Sequence, residues 1–389
     1  MPDRKKMLSP QMEHVNPFRV MTVMNRAAEI ERRGHKVVHM EVGEPDFPTA
    51  LPIVDAAKKA LDRGLTQYTS APGIYELREA IANRYQQQNG VKVSPDRVLI
   101  TPGASGGLIL LANMLVAPGD GILLTDPAYP CVRNFIYMQS AVPQLIPVSM
   151  DQNFQPTEGQ LNQYKTDKTV GLWLASPSNP TGTILEKARL IVARNWAKEN
   201  GVHLLVDEIY HGLQYVEDLP SVLEVDDTAF VVSSFSKYFG MTGWRLGWIV
   251  VPEDFVETAT KLTQNLFISA PSIAQYAALA AFTDEAEAIF EERRKDFADR
   301  KAYLGKELTK LGFKISDNIQ GAFYFYANIA QFSDNSEKFC RDLLDDHYVA
   351  TTPGTDFGDY KAREYIRIAF TTSMQDLQLG VERMKAALA

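Results

Sequence analysis

The apolar positions of this chain fall into two patterns, and the change between them divides the sequence. From about residue 50 to 280, short apolar runs end in polar or Gly/Pro clusters and alternate with helical patterns. A spacing of about 20–30 residues between most runs is typical of βαβ units. The predicted strands are Val98–Thr101, Gly121–Thr125, Gln144–Val148, Val170–Ala175, Val202–Val206, Phe230–Ser233 and Trp244–Val251.

Several of these runs are continuous rather than alternating, as in His203–Val206 and Phe230–Val232. Parallel strands that are buried on both faces have this pattern. We therefore predict an α/β protein whose large domain has a mostly parallel sheet flanked by helices. Near the start of the chain, apolar residues at helical spacing predict a short helix over Thr22–Gly34.

After Thr283 the pattern changes. Residues 284–311 have apolar side chains at helical spacing among many charges, and Gly312 marks the end of that helix. Two strand-like runs follow, Ala322–Tyr326 and Tyr365–Phe370. We predict a smaller α+β domain built from both chain ends. The predicted division is 1–48 for the N-terminal arm and part of the small domain, 49–283 for the large domain and 284–389 for the small domain.

Composition excludes several functional classes. At about 100–200 residues per domain, the 389 residues are too many for a single hydrophobic core. A net charge of -8 without a basic run argues against nucleic acid as the main binding partner. Two cysteines and six scattered histidines favour neither a disulfide framework nor a metal site. No stretch approaches the roughly 20 apolar residues of a membrane span, and Met1–Leu8 has no following apolar segment. We expect a cytoplasmic protein.

Five polar or Gly-rich clusters stand directly after predicted strands. Ligands of open parallel sheets bind outside the carboxyl ends of the strands, so we expect these clusters to converge on one crevice. The clusters are Gly103–Gly107, Asp126–Tyr129, Asn179–Gly182, Asp207–Tyr210 and Ser234–Lys237.

The cluster Gly103–Gly107 has three interpretations. A Gly/Ser turn before a helical run, here Leu108–Leu115, presents backbone N–H groups to a phosphate. The same residues match G-x-S-x-G, which would make Ser105 the nucleophile of an α/β-hydrolase. A helix start without any ligand is equally compatible with this motif alone.

Single charged residues in the other clusters are each ambiguous. Asp207 ends an apolar strand, where a carboxylate serves either as a helix N-cap or as the partner of a protonated heterocyclic nitrogen. Lys237 is either a surface lysine or an amine placed for a Schiff base with an aldehyde. Arg245 begins the next predicted strand and could bind an anion. Arg367 is either an exposed strand residue or a bidentate carboxylate ligand.

Taken together, the motifs resemble those of class I/II aminotransferases, which are pyridoxal-phosphate enzymes of fold type I. The strongest matches are SFSKYFGMTGWRLG at 234–247, SPSNPTG at 176–182 and VDEIY at 206–210. The resemblance runs almost end to end, through GEPDF at 43–47, QYTSAPG at 67–73, PGTDF at 353–357 and YIRI at 365–368.

The resemblance implies a role for each candidate residue. Lys237 would hold pyridoxal 5'-phosphate and shuttle a proton, and Asp207 would pair with the ring N–H. Tyr210 and Asn179 would bind the ring oxygen, and Tyr129 would stack on the ring. The implied phosphate ligands are Ala104, Ser105, Ser234, Arg245 and, from a second subunit, Tyr68, and Gly103 is a further cofactor-binding residue. The implied ligands of the substrate carboxylate are Arg367, Asn179 and the Gly43 backbone.

The implied activity is ping-pong transfer of an amino group from an L-amino acid to a 2-oxo acid by a homodimer with shared sites. Phe18 and Val20 match a family segment that lines the substrate pocket, which favours apolar or aromatic donors, although Arg19 between them could reverse this preference. Three alternatives remain at this point. They are a β-elimination C–S lyase of the same fold, a serine hydrolase using Ser105 and a silent relative that only binds, against which the intact Lys237 argues.

Overall fold

The structure is a computed structural model that describes residues 8–389. The prediction for the charged N-terminus falls mainly on residues 1–7, which lie outside the described residues.

The helices are α1 (Arg19–Arg32), α2 (Leu51–Asp62), α3 (Tyr75–Asn89), α4 (Gly103–Leu115), α5 (Pro130–Met138), α6 (Glu158–Tyr164), α7 (Lys187–Asn200), α8 (Val256–Leu266), α9 (Ser272–Ala278), α10 (Asp284–Leu311), α11 (Ser336–His347) and α12 (Met374–Ala387). The strands are β1 (Val38–His39), β2 (Val98–Thr101), β3 (Gly121–Asp126), β4 (Val142–Pro147), β5 (Thr169–Ala175), β6 (His203–Asp207), β7 (Phe230–Ser234), β8 (Gly247–Val250), β9 (Tyr324–Asn328), β10 (Val349–Ala350), β11 (Thr352–Pro353) and β12 (Tyr365–Ala369).

A seven-stranded sheet forms the centre of the molecule, in the order β2-β8-β7-β6-β5-β3-β4. The pairs from β7 through to β4 are all parallel. Only β8 runs the other way, antiparallel to both β2 and β7. The predicted α/β class with a mostly parallel sheet is therefore confirmed.

Side chains of the central strands alternate between two cores. In β6, Leu204 and Val206 belong to one core, whereas Leu205 belongs to the other. Leu108 of α4 packs into the second core and Leu190 of α7 into the first. Helices thus cover both faces of the sheet, which explains why its strands have continuous apolar sequences.

The two ends of the described chain pack together. Strand β1 pairs in parallel with β10, with Val38 opposite Val349, and β11, β12 and β9 form a separate antiparallel sheet. Helix α10 begins after Thr283, whose side chain accepts the Ala286 N–H, and ends at Gly312 with φ +98°. This arrangement fits a smaller α+β unit, while the domain boundaries at 48/49 and 283/284 stay a prediction.

Several predicted bounds are wrong by a few residues. The strand predicted over Trp244–Val251 is limited to β8, and Arg245 lies in the preceding turn at φ +53° rather than starting the strand. Helix α4 begins at Gly103, whereas the sequence predicted a turn there and a helix from Leu108. Apolar residues that flank a short strand extend its pattern beyond the hydrogen-bonded ladder. Within residues 8–389, no helix combines the length and the apolar character that crossing a membrane requires.

Candidate active site

A cavity of about 610 Å³ opens at the carboxyl ends of the parallel strands, beside the start of α4. All the predicted site residues line it except Gly103 and Tyr68. Gly103 lies immediately behind its wall, whereas the Tyr68 side chain is 79% exposed and outside the cavity. The predicted residues on the wall are Gly43, Ala104, Ser105, Tyr129, Asn179, Asp207, Tyr210, Ser234, Lys237, Arg245 and Arg367.

The Lys237 amine lies in the turn after β7 and points into the cavity. Its Nζ donates a hydrogen bond to the Gly43 carbonyl oxygen at 2.6 Å. Burial lowers the pKa of Lys237 to about 8, and the positive charges of Arg367 and Arg245 act in the same direction. About a tenth of this amine is then neutral near pH 7, and this form can attack a carbonyl carbon or accept a proton.

Asp207 is the last residue of β6 and is almost fully buried on the cavity wall. Its Oδ1 accepts the Ile209 N–H at 3.1 Å, within a turn and not at the start of a helix. Burial raises the pKa of Asp207 to about 6, against the opposing effects of the Ile209 N–H and the Lys237 charge. A buried carboxylate with so few donors of its own is a strong acceptor for a cationic N–H.

Arg245 and the first turn of α4 form an anion cradle. A Cβ at Gly103 would lie 2.6 Å from the Arg245 Nη2, and Gly103 has φ +71°. A Cβ at Gly247 would lie 2.7 Å from the Ala104 nitrogen. Glycine at both positions therefore allows the guanidinium and the helix N-terminus to meet. Helix α4 has no side-chain cap at Pro102, so its first N–H groups are available to an anion.

Two buried serines complete this side of the cavity. Ser234 Oγ lies 2.9 Å from Ser236 Oγ and 3.1 Å from the Leu246 carbonyl oxygen. Its hydroxyl also accepts the Ser236 N–H at 3.0 Å. These bonds hold the Ser234 hydroxyl next to the cradle at the end of β7.

Arg367 lies in β12 and is only 2% exposed, so it is not the exposed strand residue that its sequence context also allowed. Its Nη1 donates to Asn179 Oδ1 at 2.9 Å, and its Nη2 donates to the Glu41 carbonyl oxygen. The guanidinium carbon lies 4.3 Å from the ring centre of Tyr324 and 4.8 Å from that of Phe357. A fork fixed in this way is suited to bidentate binding of a carboxylate.

Tyr324, which was not predicted from the sequence, connects several of these groups. Its hydroxyl lies 2.9 Å from the Tyr210 hydroxyl, and a Cβ at Gly43 would lie 1.7 Å from the same oxygen. Burial raises the pKa of Tyr210, which keeps its hydroxyl protonated. The run of aromatic residues in β9 gave no sign of which ring faces the cavity, because this depends on the pairing with β12.

An apolar wall faces the charged groups. It is formed at the start of the described chain by Phe18 and by three residues of α1, which are Val20, Met21 and Met24. The Arg19 side chain is directed elsewhere, to an ion pair with Glu337. Among the described residues that line the cavity, the cations are Lys237, Arg245 and Arg367.

Tyr129 forms another part of the wall, at the start of α5. Its ring packs edge-to-face against Phe18, with 6.1 Å between ring centres. This contact joins the end of β3 to the apolar wall and turns the Tyr129 ring toward the cavity. The ring is thus positioned to contact a planar ligand.

The hydrolase hypothesis for Ser105 lacks a base. No histidine is found among the described residues lining the cavity. The histidine that follows β6, His211, is buried beside Glu208 in a separate small cavity. Residues 8–389 also contain no group of three or more His, Cys, Asp or Glu that could hold a metal ion. The arrangement instead offers an amine, a carboxylate and two anion-binding arginines.

Comparisons with known proteins agree with this chemistry. The profile of a family described as aminotransferase class I and II matches residues 35–384. The (5-formylfuran-3-yl)methyl phosphate transaminase of Methanocaldococcus jannaschii is 37% identical over 98% of this chain and 100% of its own. The valine–pyruvate aminotransferase of Mycobacterium tuberculosis is 37% identical, over 95% and 96% of the two chains.

Solved structures of similar proteins have the same fold. An aminotransferase from Mycobacterium tuberculosis superposes with a TM-score of 0.94 at 36% identity, covering 98% of both chains. An aspartate aminotransferase from Thermus thermophilus, solved with maleate, gives a TM-score of 0.93 at 30% identity, covering 98% of this chain and 99% of its own.

Proposed function

This chain belongs to the aminotransferase class I and II family and transfers amino groups. From that premise, we propose that it uses pyridoxal 5'-phosphate to move an amino group from an apolar L-amino acid to a 2-oxo acid. One observation carries the proposal. A buried amine, a buried carboxylate and an anion cradle, contributed by Lys237, Asp207 and Arg245, all face the same cavity.

The residues on the cavity wall fit this cofactor. Because Gly103 has no Cβ, the Arg245 guanidinium approaches the N-terminus of α4, and a phosphate suits the donors that meet there. Asp207 offers a carboxylate to a protonated ring nitrogen, and Lys237 offers an amine to an aldehyde. When bound, pyridoxal 5'-phosphate supplies an aldehyde that exchanges amino groups and a ring that draws electrons from the substrate Cα.

The chain's own residues bind and orient the reactants and move the proton. Arg367 and Asn179 bind the α-carboxylate of the amino acid and so turn its Cα toward Lys237. Lys237 Nζ then carries the Cα proton, because a pKa of about 8 lets it accept and return a proton near neutral pH. Asp207 would keep the ring nitrogen protonated, and the Tyr210 hydroxyl and the Asn179 amide would donate to the ring oxygen.

The phosphate ligands in this proposal are the N–H groups at the start of α4, namely Ala104 and Ser105, together with Ser234 and Arg245. Tyr129 packs against the ring face. The exchange runs in two halves, since the first amino acid leaves as a 2-oxo acid before a second 2-oxo acid occupies the same place at Arg367. A single carboxylate clamp therefore serves both substrates.

The apolar wall supports an apolar or aromatic donor. Phe18, Val20, Met21 and Met24 present no charge to the substrate side chain, and the Arg19 guanidinium is paired with Glu337 away from the cavity. Binding the second carboxylate of a dicarboxylic amino acid to this wall would leave that charge without a cation.

We also propose that the protein is a homodimer in which Tyr68 binds the phosphate in the partner's cavity. A tyrosine that is 79% exposed and lies outside its own cavity supports this assignment. The free thiols of Cys131 and Cys340 are compatible with the expected cytoplasmic location.

The test begins with the purified protein and added pyridoxal 5'-phosphate. A visible absorbance band should form, and borohydride should then fix the cofactor to the chain. Lys237→Ala should lose both signals, whereas Lys261→Ala, which removes an exposed lysine, should keep them. A band that survives Lys237→Ala would contradict the proposal.

A panel of amino donors with pyruvate or 2-oxoglutarate then tests the reaction. We expect apolar and aromatic L-amino acids to give 2-oxo acid products at higher kcat/KM than aspartate or glutamate. Release of pyruvate and ammonia without any 2-oxo acid acceptor would point to β-elimination instead. A preference for dicarboxylic donors would contradict the proposed donor class.

A further inference from the structure

Helix α1 lacks a capping side chain of its own. Its N-cap residue is Phe18, an apolar residue that lines the cavity and makes no side-chain capping bond. The carboxylate that caps α1 belongs to a residue much later in the sequence. Asp356 Oδ1 accepts the Arg19 N–H at 2.8 Å, across 337 positions of sequence. Asp356 is only 2% exposed, so this bond is made away from solvent.

The loop that carries Asp356 is itself bound to the large sheet. Arg133 of α5 donates to the Asp356 carbonyl oxygen at 3.3 Å. The carboxylate of Asp126, at the end of β3, accepts the N–H groups of Asp359 at 3.1 Å and Tyr360 at 3.0 Å. These bonds fix the Asp356 carboxylate relative to the strand end beside the cavity.

The same loop also contacts the carboxylate clamp. The Ala128 N–H donates to the Phe357 carbonyl oxygen at 2.9 Å, and the Phe357 ring packs against the Arg367 guanidinium at 4.8 Å. One short segment therefore contacts both the start of the apolar wall and the arginine opposite it.

We infer that Asp356 is a positioning residue for donor specificity: by capping α1, it sets the distance between the apolar wall and the carboxylate clamp. This inference rests on the proposed function, because it requires the donor side chain to meet α1. Removing the cap frees the first turn of α1, which carries Val20 and Met21. A donor with a large apolar side chain loses contacts, whereas alanine, with a methyl group, loses few.

The first experiment measures kcat/KM of the loaded enzyme for the best apolar donor of the panel and for L-alanine. Asp356→Ala should lower the ratio of the two values roughly fivefold to tenfold, mainly through KM of the larger donor. Asp356→Asn, which keeps an oxygen acceptor, should restore most of the ratio. Asp359→Ala is the matched control, because it removes an exposed carboxylate three positions away and should leave the ratio unchanged.

A second pair of variants removes the donor of the same bond. Arg19→Pro deletes the N–H at the first position of the helix, where proline is tolerated, and Arg19→Ala keeps the N–H while removing the same side chain. Arg19→Pro should lower the donor ratio, and Arg19→Ala should not. If Asp356→Ala does not fold, this pair of variants still tests whether the bond between Asp356 and the Arg19 N–H sets the donor ratio.

Hydrogen exchange of the loaded enzyme separates this inference from the proposed function. In Asp356→Ala, the amides of the first turn of α1 should exchange faster than in the wild type, whichever donor the enzyme prefers. Unchanged exchange there, or an unchanged donor ratio in both Asp356→Ala and Arg19→Pro, overturns the role of Asp356. A wild-type preference for dicarboxylic donors contradicts the proposed donor class, and the exchange result still decides whether Asp356 caps α1.

Discussion

Replacing Arg367 by glutamine should raise the pKa of the Lys237 amine in the protein without cofactor. Burial and the positive charges of Arg367 and Arg245 lower this pKa from 10.5 to about 8. A difference of about 2.5 units makes the neutral amine about 300-fold more abundant at pH 7 than on an exposed lysine. Arg367→Gln removes one of the charges and leaves the burial in place. The new pKa should therefore lie above 8 but below 10.5.

The rate at which borohydride-trapped pyridoxal 5'-phosphate accumulates on Lys237, followed across pH 6 to 10, measures this pKa. The rate should increase about tenfold per pH unit below the midpoint and level off above it, because only the neutral amine reacts. Arg363→Gln, which removes an exposed arginine of the same segment, is the control variant. A wild-type midpoint near 10, or a midpoint that Arg367→Gln leaves in place or lowers, would refute the reasoning.

Three other predictions concern stability, cofactor affinity and specificity. Burial raises the pKa of Glu208 from 4.5 to about 8, so between these pH values the folded protein keeps a proton that the unfolded chain releases. The free energy of unfolding therefore falls as the pH rises across this interval. Glu208→Gln should reduce the corresponding fall in the Tm of the cofactor-free protein. Gly103→Ala places alanine at φ +71° and brings its Cβ within 2.6 Å of Arg245. The Kd for pyridoxal 5'-phosphate should therefore rise about tenfold or more, as measured by titration of the absorbance band. Met24→Lys adds a cation to the apolar wall and should lower KM for aspartate relative to an apolar donor; an unchanged KM ratio would argue that Met24 does not face the donor side chain.

Much of the site follows from the sequence because a parallel sheet brings the ends of its strands together. Clusters separated by more than a hundred residues, such as Gly103–Gly107 and Ser234–Lys237, could be assigned to one crevice from their position after apolar runs. The resemblance to a known family then suggested a role for each residue. Neither argument required knowledge of side-chain contacts.

The features that sequence did not predict depend on contacts between distant segments. Arg367 alternates with apolar neighbours, a pattern that fits an exposed strand equally well, and it is buried because Tyr324 and Phe357 pack against its guanidinium. Tyr324 reaches the cavity through the register of β9, and Asp356 caps a helix that begins 337 residues earlier. Arg245 was assigned to a strand because the apolar run begins at Trp244, before the backbone turns.

The positions of the site residues along the chain determine the order in which the ligands of cofactor and substrate are synthesised. Every wall residue proposed to bind the cofactor within one subunit lies between 103 and 245, and the two strands that flank β7 are complete at residue 250. Arg367, in contrast, lies in β12, and its Nη2 donates to the carbonyl oxygen of Glu41, near the start of the described residues. Synthesis therefore completes this set of cofactor ligands more than a hundred residues before it adds the arginine that binds the substrate α-carboxylate. Among the residues proposed for this site, the clamp for the α-carboxylate is the last to be synthesised.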